Sequence, residues 1–207
     1  MFGSVSDMLF RIPALLLALT IHEYAHGAVS YSLGDPTPEA QGRLTMNPLA
    51  HLDVMGTIML IVVGFGWAKP VMIDPRYYRH PRLDTMKVSF AGPGANLVLC
   101  FIAALLLILM SKMNMLSGSV LKFLQSLMIY NVYFAFFNLL PIPPLDGSKI
   151  LMELLPSEMA YKFESTIGPY SMYILIALCL TGLVSKIIIP FANIYLDLVQ
   201  IVIGIFM

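Results

Sequence analysis

Charge is what this 207-residue sequence has least of. Asp, Glu, Lys and Arg together make up 12% of it, against about 25% in an ordinary soluble domain. Basic and acidic side chains cancel to a net charge of zero. No basic block offers itself to nucleic acid, so that class of partner is set aside. Cysteine is almost missing as well: Cys100 and Cys179 each sit inside an apolar run. Two separated thiols make neither a disulfide framework nor a CxxC pair, and they read as small packing residues. No long Ser/Gly/Pro-rich linker, charge block or internal repeat divides the chain, which reads as one domain over residues 1–207. What is abundant is apolar surface. Hydrophobic residues account for 58% and the mean hydropathy is +0.82, the composition of a protein whose solvent is largely lipid.

The first apolar run, which begins by residue 14, carries His22, Glu23, Tyr24, Ala25 and His26 before Gly34 ends it. Residues four apart share a helix face, so His22 and His26 can offer two imidazole nitrogens to one cation. Glu23 is one residue further round, within reach of a water on that cation without being a ligand. Zinc hydrolysis needs such a set: histidine ligands, a carboxylate base and an open coordination position. In lipid, two histidines and a glutamate are costly unless they line a protected cavity or bind an ion. A histidine pair satisfied by other helices with no metal is the bland alternative. An early apolar run also fits a signal peptide, but cleavage would remove the HExxH, and that reading is rejected.

Taken in order, a first helix is expected over residues 8–33, with Gly34, Asp35, Pro36 and Pro38 stopping it. His26 lies eight residues before Gly34, about 12 Å along a helix, so the metal should sit below that surface but nearer to it than to Arg11. Residues 39–53 are polar and irregular, with a possible short strand at 43–46. Residues 55–67 are apolar but about 13 long, short of the roughly 20 a spanning helix needs. They read as a segment that dips into the membrane and returns, shielded by protein. Residues 68–73 fit an edge strand, since Pro70 suits an edge, and 74–87 read as a basic loop. A second span is expected at 88–111, with small residues at 91–95 for close helix approach and a kink at Pro93. A third should run over 120–140, a short amphipathic helix over 148–155, and two more spans over 169–184 and 187–207. The fold class is therefore an all-α polytopic membrane protein. It has about five transmembrane helices plus a membrane-dipping loop with short β-strands, its catalytic core over about 8–155 and accessory helices over 169–207.

Counting cations gives the orientation. Arg43, Lys69, Arg76, Arg79, Arg82, Lys87, Lys149 and Lys162 fall on one side, and Arg11, Lys112, Lys122 and Lys186 on the other. Eight against four puts the first side, the side nearer the HExxH, in the cytoplasm.

Two histidines do not complete a catalytic zinc site. Asp146 is the best third ligand, because it follows Pro141, Pro143 and Pro144 where the backbone must be irregular; equally, it fits an N-cap for the helix near Ser148. Asp35, Asp53 and Asp74 look like turn residues, Asp197 is an outsider in the last span, and His51 reads as structural. Asn138, in the last turn of an apolar helix, needs partners for its amide. It can meet a substrate carbonyl or an oxyanion, or satisfy carbonyls freed by Pro141. Asn96 carries the same ambiguity.

Together, His22 to His26, the Asn47 to Asp53 stretch, Gly92 to Asn96 and the Asn138 to Gly147 stretch resemble the site-2 protease family of intramembrane zinc metalloproteases. The likeness covers roughly residues 12–152. It implies one Zn2+ per chain on His22, His26 and Asp146, Glu23 activating its water, and Asn138 as a catalytic contact near the metal. It also implies a three-helix catalytic core with the site on the cytoplasmic side of a multi-pass protein, here expected in the plasma membrane. Some members carry a PDZ or CBS module; this chain has room for neither and looks like a minimal member. The expected activity is endopeptidase cleavage of transmembrane or membrane-proximal segments of substrate proteins. Strand-prone Leu44, Thr45 and Met46, residues 69–73 and Asn96 are the candidates for holding substrate. The rivals are a membrane zinc peptidase acting on a soluble or lipidated peptide, and a non-proteolytic zinc-binding membrane protein, a transporter or scaffold.

Overall fold

A computed structural model describes residues 5–56 and 68–206. The expected dipping segment therefore falls almost wholly outside the described residues. Helix α1 runs over Val5–Ser32, and a single helical turn, Thr37–Ala40, follows it. Then come α2 (Pro81–Lys112), α3 (Gly118–Asn138), α4 (Asp146–Leu154), α5 (Ser157–Ile167), α6 (Ser171–Leu180) and α7 (Leu183–Phe206). Among the described residues, five helical stretches are long and apolar enough to cross a membrane: Met8–Ser32, Pro81–Lys112, Gly118–Asn138, Ser157–Leu180 and Leu183–Ile205.

Helices α1, α2 and α3 pack on one another more than on anything else, and α4 lies against α2. Ala14, Ala103, Leu124 and Leu127 fill the space between the three, small residues on α1 and α2 letting the larger ones of α3 in. Cys100 packs with Val132 and Ala192, tying α7 to α2 and α3 as a small apolar residue. Val98, Ile102 and Leu106 on α2 and Leu198, Ile201 and Ile205 on α7 point outward and stay exposed. That outer surface suits hydrocarbon.

Several boundaries differ from the sequence reading. The basic loop ends at His80, not Lys87: α2 begins with Pro81 in its first turn, and the His80 N–H donates to Asp84 Oδ2 at 3.0 Å, closing the helix start. At 1.5 Å per residue α2 is about 48 Å long against a hydrocarbon slab of about 30 Å. Its first turns, with Arg82, Asp84 and Lys87, are polar helix that hydropathy alone reads as loop. α2 continues through Pro93 without a break. The fourth span starts at Ser157 rather than 169, because Pro169 sits within a 3-10 turn, Gly168–Tyr170, that joins α5 to α6. The last break falls at Thr181 and Gly182.

The described residues contain no sheet, only one isolated antiparallel bridge, Leu52 to Ala68. The strands expected at 43–46 and 68–73 are not there, because side chains take the backbone groups a partner strand would have used. The Arg43 guanidinium donates to the carbonyls of Ala50 and Lys69, and a carboxylate takes the Val71 N–H.

Candidate metal centre

His22 and His26 stack one turn apart on α1, their rings 4.6 Å apart and nearly perpendicular. Asp146 comes to them from across the chain. Its Oδ2 lies 3.1 Å from His22 Nε2 and 3.0 Å from His26 Nε2, and the two nitrogens are 3.0 Å apart. All three residues are buried, at 3, 8 and 5% exposure. Asp146 is the first residue of α4, whose N-cap is Leu145, and that cap makes no side-chain bond. The capping role therefore gives way to the cluster.

The hydrogen bonds behind the rings fix what the front atoms can be. Asn96 Nδ2 donates to Ala18 O at 2.9 Å and to Asn131 Oδ1 at 2.7 Å. Its Oδ1 therefore faces His22 and accepts from Nδ1–H at 2.7 Å. His26 Nδ1–H donates to the Val88 carbonyl at 2.7 Å. With both Nδ1 atoms protonated in neutral rings, both Nε2 atoms carry lone pairs. Two lone pairs and a carboxylate oxygen at 3.0 to 3.1 Å repel one another unless a cation lies among them. Ligands of a tetrahedral zinc with bonds of about 2.0–2.1 Å stand ~3.3 Å apart, so the atoms need spread only a few tenths of an ångström. The donor set fits zinc.

Two glycines make the approach possible. A Cβ on Gly92 would fall 2.4 Å from His26 Nε2 and 2.7 Å from His22 Cε1. One on Gly147 would fall 2.1 Å from the Leu139 carbonyl oxygen, where the start of α4 presses on the end of α3. The small stretch at 91–95 thus brings α2 close to the imidazoles themselves.

A cavity of about 320 Å³ opens on the cluster. Glu23, Asn138, Ser89 and Lys149 supply its polar wall, and Phe134, Phe137, Met172 and Leu175 its apolar one. Glu23 is buried, with Oε2 accepting from the Val71 N–H at 3.0 Å. Asn138 Nδ2 donates to Phe134 O at 2.9 Å, within its own helix rather than to a carbonyl freed by Pro141. Asn96 is not on the cavity wall: it is 0% exposed, its polar atoms turned to His22, Ala18 and Asn131. The structure places it behind His22, whose ring it holds, rather than on the wall of this cavity. Leu44, Thr45 and Met46 do not line the cavity either; residues 68, 70, 71 and 73 do.

The remaining candidates are placed elsewhere. His51 is buried and donates from Nε2 to Thr45 O. Asp53 and Asp74 make turns, and Asp197 is exposed on α7. Asp35 does more than turn the chain. It is buried and accepts from the Thr37 and Asp74 N–H groups and from Ser30, which also meets Tyr78. Burial pushes its carboxyl up, but those hydrogen bonds overcome it and hold the group below its ordinary value.

Three contributors escaped sequence reasoning. Lys149 donates to Asp146 Oδ1 at 3.1 Å from one turn along α4, an i,i+3 pair visible in the spacing. Asn131 supports Asn96, and a lone amide in an apolar span was its signal. Arg43 is 3% exposed; burial lowers its pKa while the Glu23 carboxylate raises it.

The sequence profile of peptidase family M50 matches residues 108–182, which includes Asp146 but stops short of the histidines. YwhC of Bacillus subtilis, by name a candidate zinc metalloprotease, is 38% identical over 198 residues, 93% of this chain and 90% of its own. The chain belongs to peptidase family M50, the site-2 protease family. Rip2 of Mycolicibacterium smegmatis, a candidate zinc metalloprotease by name, is 32% identical over 149 residues, 69% of this chain and 56% of that protein. A candidate zinc metalloprotease of Methanocaldococcus jannaschii is 31% identical over 100 residues, 47% of this chain and 49% of that one. No solved structure matches the chain. Membership makes zinc the implied metal and makes this M50 protein a multi-pass integral membrane protein with a metalloprotease's architecture.

Proposed function

We propose that the protein is an intramembrane zinc endopeptidase, with His22, His26 and Asp146 as metal ligands and Glu23 as general base. One observation carries this reading: two imidazole lone pairs and a carboxylate oxygen converge at 3.0 to 3.1 Å in a cavity that Glu23 shares. Its substrate is a transmembrane or membrane-proximal segment of another protein, met at the cytoplasmic side of the plasma membrane.

Zinc, when bound, lowers the pKa of a water toward about 7 and polarises a carbonyl. The chain supplies the rest. The Glu23 carboxylate, steadied at Oε2 by the Val71 N–H, takes the proton of the attacking water and delivers it to the leaving amine. Asn138 gives one N–H to Phe134 O, and its remaining amide atoms serve the substrate's polar backbone near the scissile bond. Phe134, Phe137, Met172 and Leu175 hold apolar side chains and thin out water. A substrate helix hides its peptide bonds in its own hydrogen bonds, so it unwinds first, and the unwound stretch lies in the cavity beside Glu23.

The test compares wild-type protein with Glu23→Gln. Both are expected to hold one zinc, while only the wild type cleaves a bilayer-embedded reporter, and substrates accumulate uncut in membranes of the variant cells. Equal cleavage by both proteins overturns the assignment of the base. Zinc without cleavage of either a membrane or a soluble peptide replaces the protease with a metal-binding scaffold.

A further inference from the structure

The mechanism leaves Arg43 unused, although it is a guanidinium at 3% exposure in a chain with few charges. Its hydrogen-bond partners are main-chain carbonyls: Ala50 O at 2.5 Å and Lys69 O. The neighbouring loop grips the same residue from its other side, since the Lys69 N–H donates to His51 O at 3.0 Å. Five residues on, the Asp74 N–H is held by the buried Asp35 at 2.8 Å. Residues 69–74 therefore form a strap fastened at both ends, and between the fastenings the Val71 N–H points at Glu23 Oε2, 3.0 Å away. Nothing else in the strap's own backbone pattern demands that bond. A strand would have given the N–H to a neighbouring carbonyl; here the donor goes to a carboxylate beside two metal-binding side chains.

We infer that the strap is a positioning device for Glu23: Arg43, by holding Lys69, sets the Val71 N–H that fixes the carboxylate's orientation. The inference rests on Glu23 acting as the base. A carboxylate on a side chain with three rotatable bonds samples many orientations, and one charge-assisted N–H···O bond selects among them. It leaves the other oxygen to exchange protons with water. Misplacing a reacting group by about 1 Å costs about 100-fold in rate, and loss of Arg43 frees the strap by that order. Substrate binding along the cavity walls and zinc affinity are not the properties at stake. The expected signature is a fall in kcat at nearly constant KM and full zinc content.

The experiment uses full-length protein reconstituted in phosphatidylethanolamine/phosphatidylglycerol vesicles, with a fluorogenic transmembrane reporter peptide that the wild type cleaves. Arg43→Gln is expected to lose about 100-fold in kcat with KM within about twofold and one zinc per chain. Arg43→Lys, which still reaches a carbonyl with a single donor, should recover part of that loss. Val71→Pro removes the N–H and should lose at least tenfold more kcat than Val71→Ala, which keeps it. Arg43→Gln combined with Val71→Pro should be no worse than the poorer single variant. A fall in kcat that tracks loss of zinc or of folded protein, or no difference between Arg43→Gln and Arg43→Lys, overturns the inference. Hydrogen exchange supplies an arm independent of cleavage: the Val71 amide should exchange at least tenfold faster in Glu23→Ala and in Arg43→Gln than in wild type. Unchanged exchange overturns the hydrogen bond. Absence of wild-type cleavage with the exchange pattern intact overturns the protease reading alone.

Discussion

Gly92 gives the sharpest handle on the metal site, because its substitution adds one methyl group at a place the geometry defines. A Cβ there would lie 2.4 Å from His26 Nε2 and 2.7 Å from both His22 Cε1 and His26 Cε1. Ordinary carbon contacts lie at about 3.5–4.0 Å, so the rings or α2 must yield by roughly 1 Å. The rings have little freedom to give. His22 is tied through Nδ1 to Asn96 and His26 to Val88 O, both on the same helix as Gly92. Moving α2 away drags those anchors with it. Metal–ligand distances tolerate only about ±0.2 Å. A displacement several times larger than that tolerance should weaken zinc binding at least 100-fold, which is about 2.7 kcal/mol. The control is Gly94→Ala, whose added Cβ meets only the ring of Phe90 at 3.3 Å, a side chain able to turn aside. Zinc content after purification and affinity by chelator competition read the result. Gly92→Ala should fold into membranes yet retain little zinc, while Gly94→Ala should match the wild type. Wild-type zinc affinity in Gly92→Ala would show that the imidazoles do not hold the ion where their Nε2 atoms converge.

Two further outcomes follow from the same network. Asn96→Ala removes the acceptor for His22 Nδ1–H and should cost about 10–100-fold in zinc affinity, read by the same competition; unchanged affinity would mean that Asn96 does not hold His22. Asp35 is held below its ordinary value of 3.8, so its ionised form stabilises the fold above that pH, and the contribution fades as pH falls through the folded-state value. The stability gap between wild type and Asp35→Asn, measured by denaturant unfolding in mixed micelles, should be widest near neutral pH and close below about pH 4. A gap independent of pH would assign the effect to packing.

Local spacing told most about what a single helix can arrange. His22 and His26 face one way because four residues make about one turn, and the five spans announce themselves by length and hydropathy. Asp146 was half legible, since the broken backbone after Pro141 suits both a cap and a ligand. Only the fold of α4 against α2 brings its carboxylate to the two imidazoles. Helix with a polar face was misread as loop at 81–87 and at 157–167, because hydropathy detects lipid and not helix. The strands drawn at 43–46 and 68–73 did not form. A buried arginine and Glu23 took the hydrogen bonds that would have made a sheet, and no periodicity reports such a long-range exchange. Asn96 was rightly singled out as a buried amide in need of partners, but a sequence does not say on which side of a histidine an asparagine will stand. Gly92 stood within a stretch read as suited to close helix approach; what it approaches became visible only with α1 in place.

The central claim is that one zinc ion is held by His22, His26 and Asp146, and zinc-edge X-ray absorption of the purified Glu23→Gln protein tests it most directly. The account predicts one zinc per chain with nitrogen and oxygen neighbours only, two imidazoles among them, at about 2.0–2.1 Å, and loss of that signal in Asp146→Ala. An unaltered spectrum in Asp146→Ala, or sulfur in the coordination sphere, would contradict it.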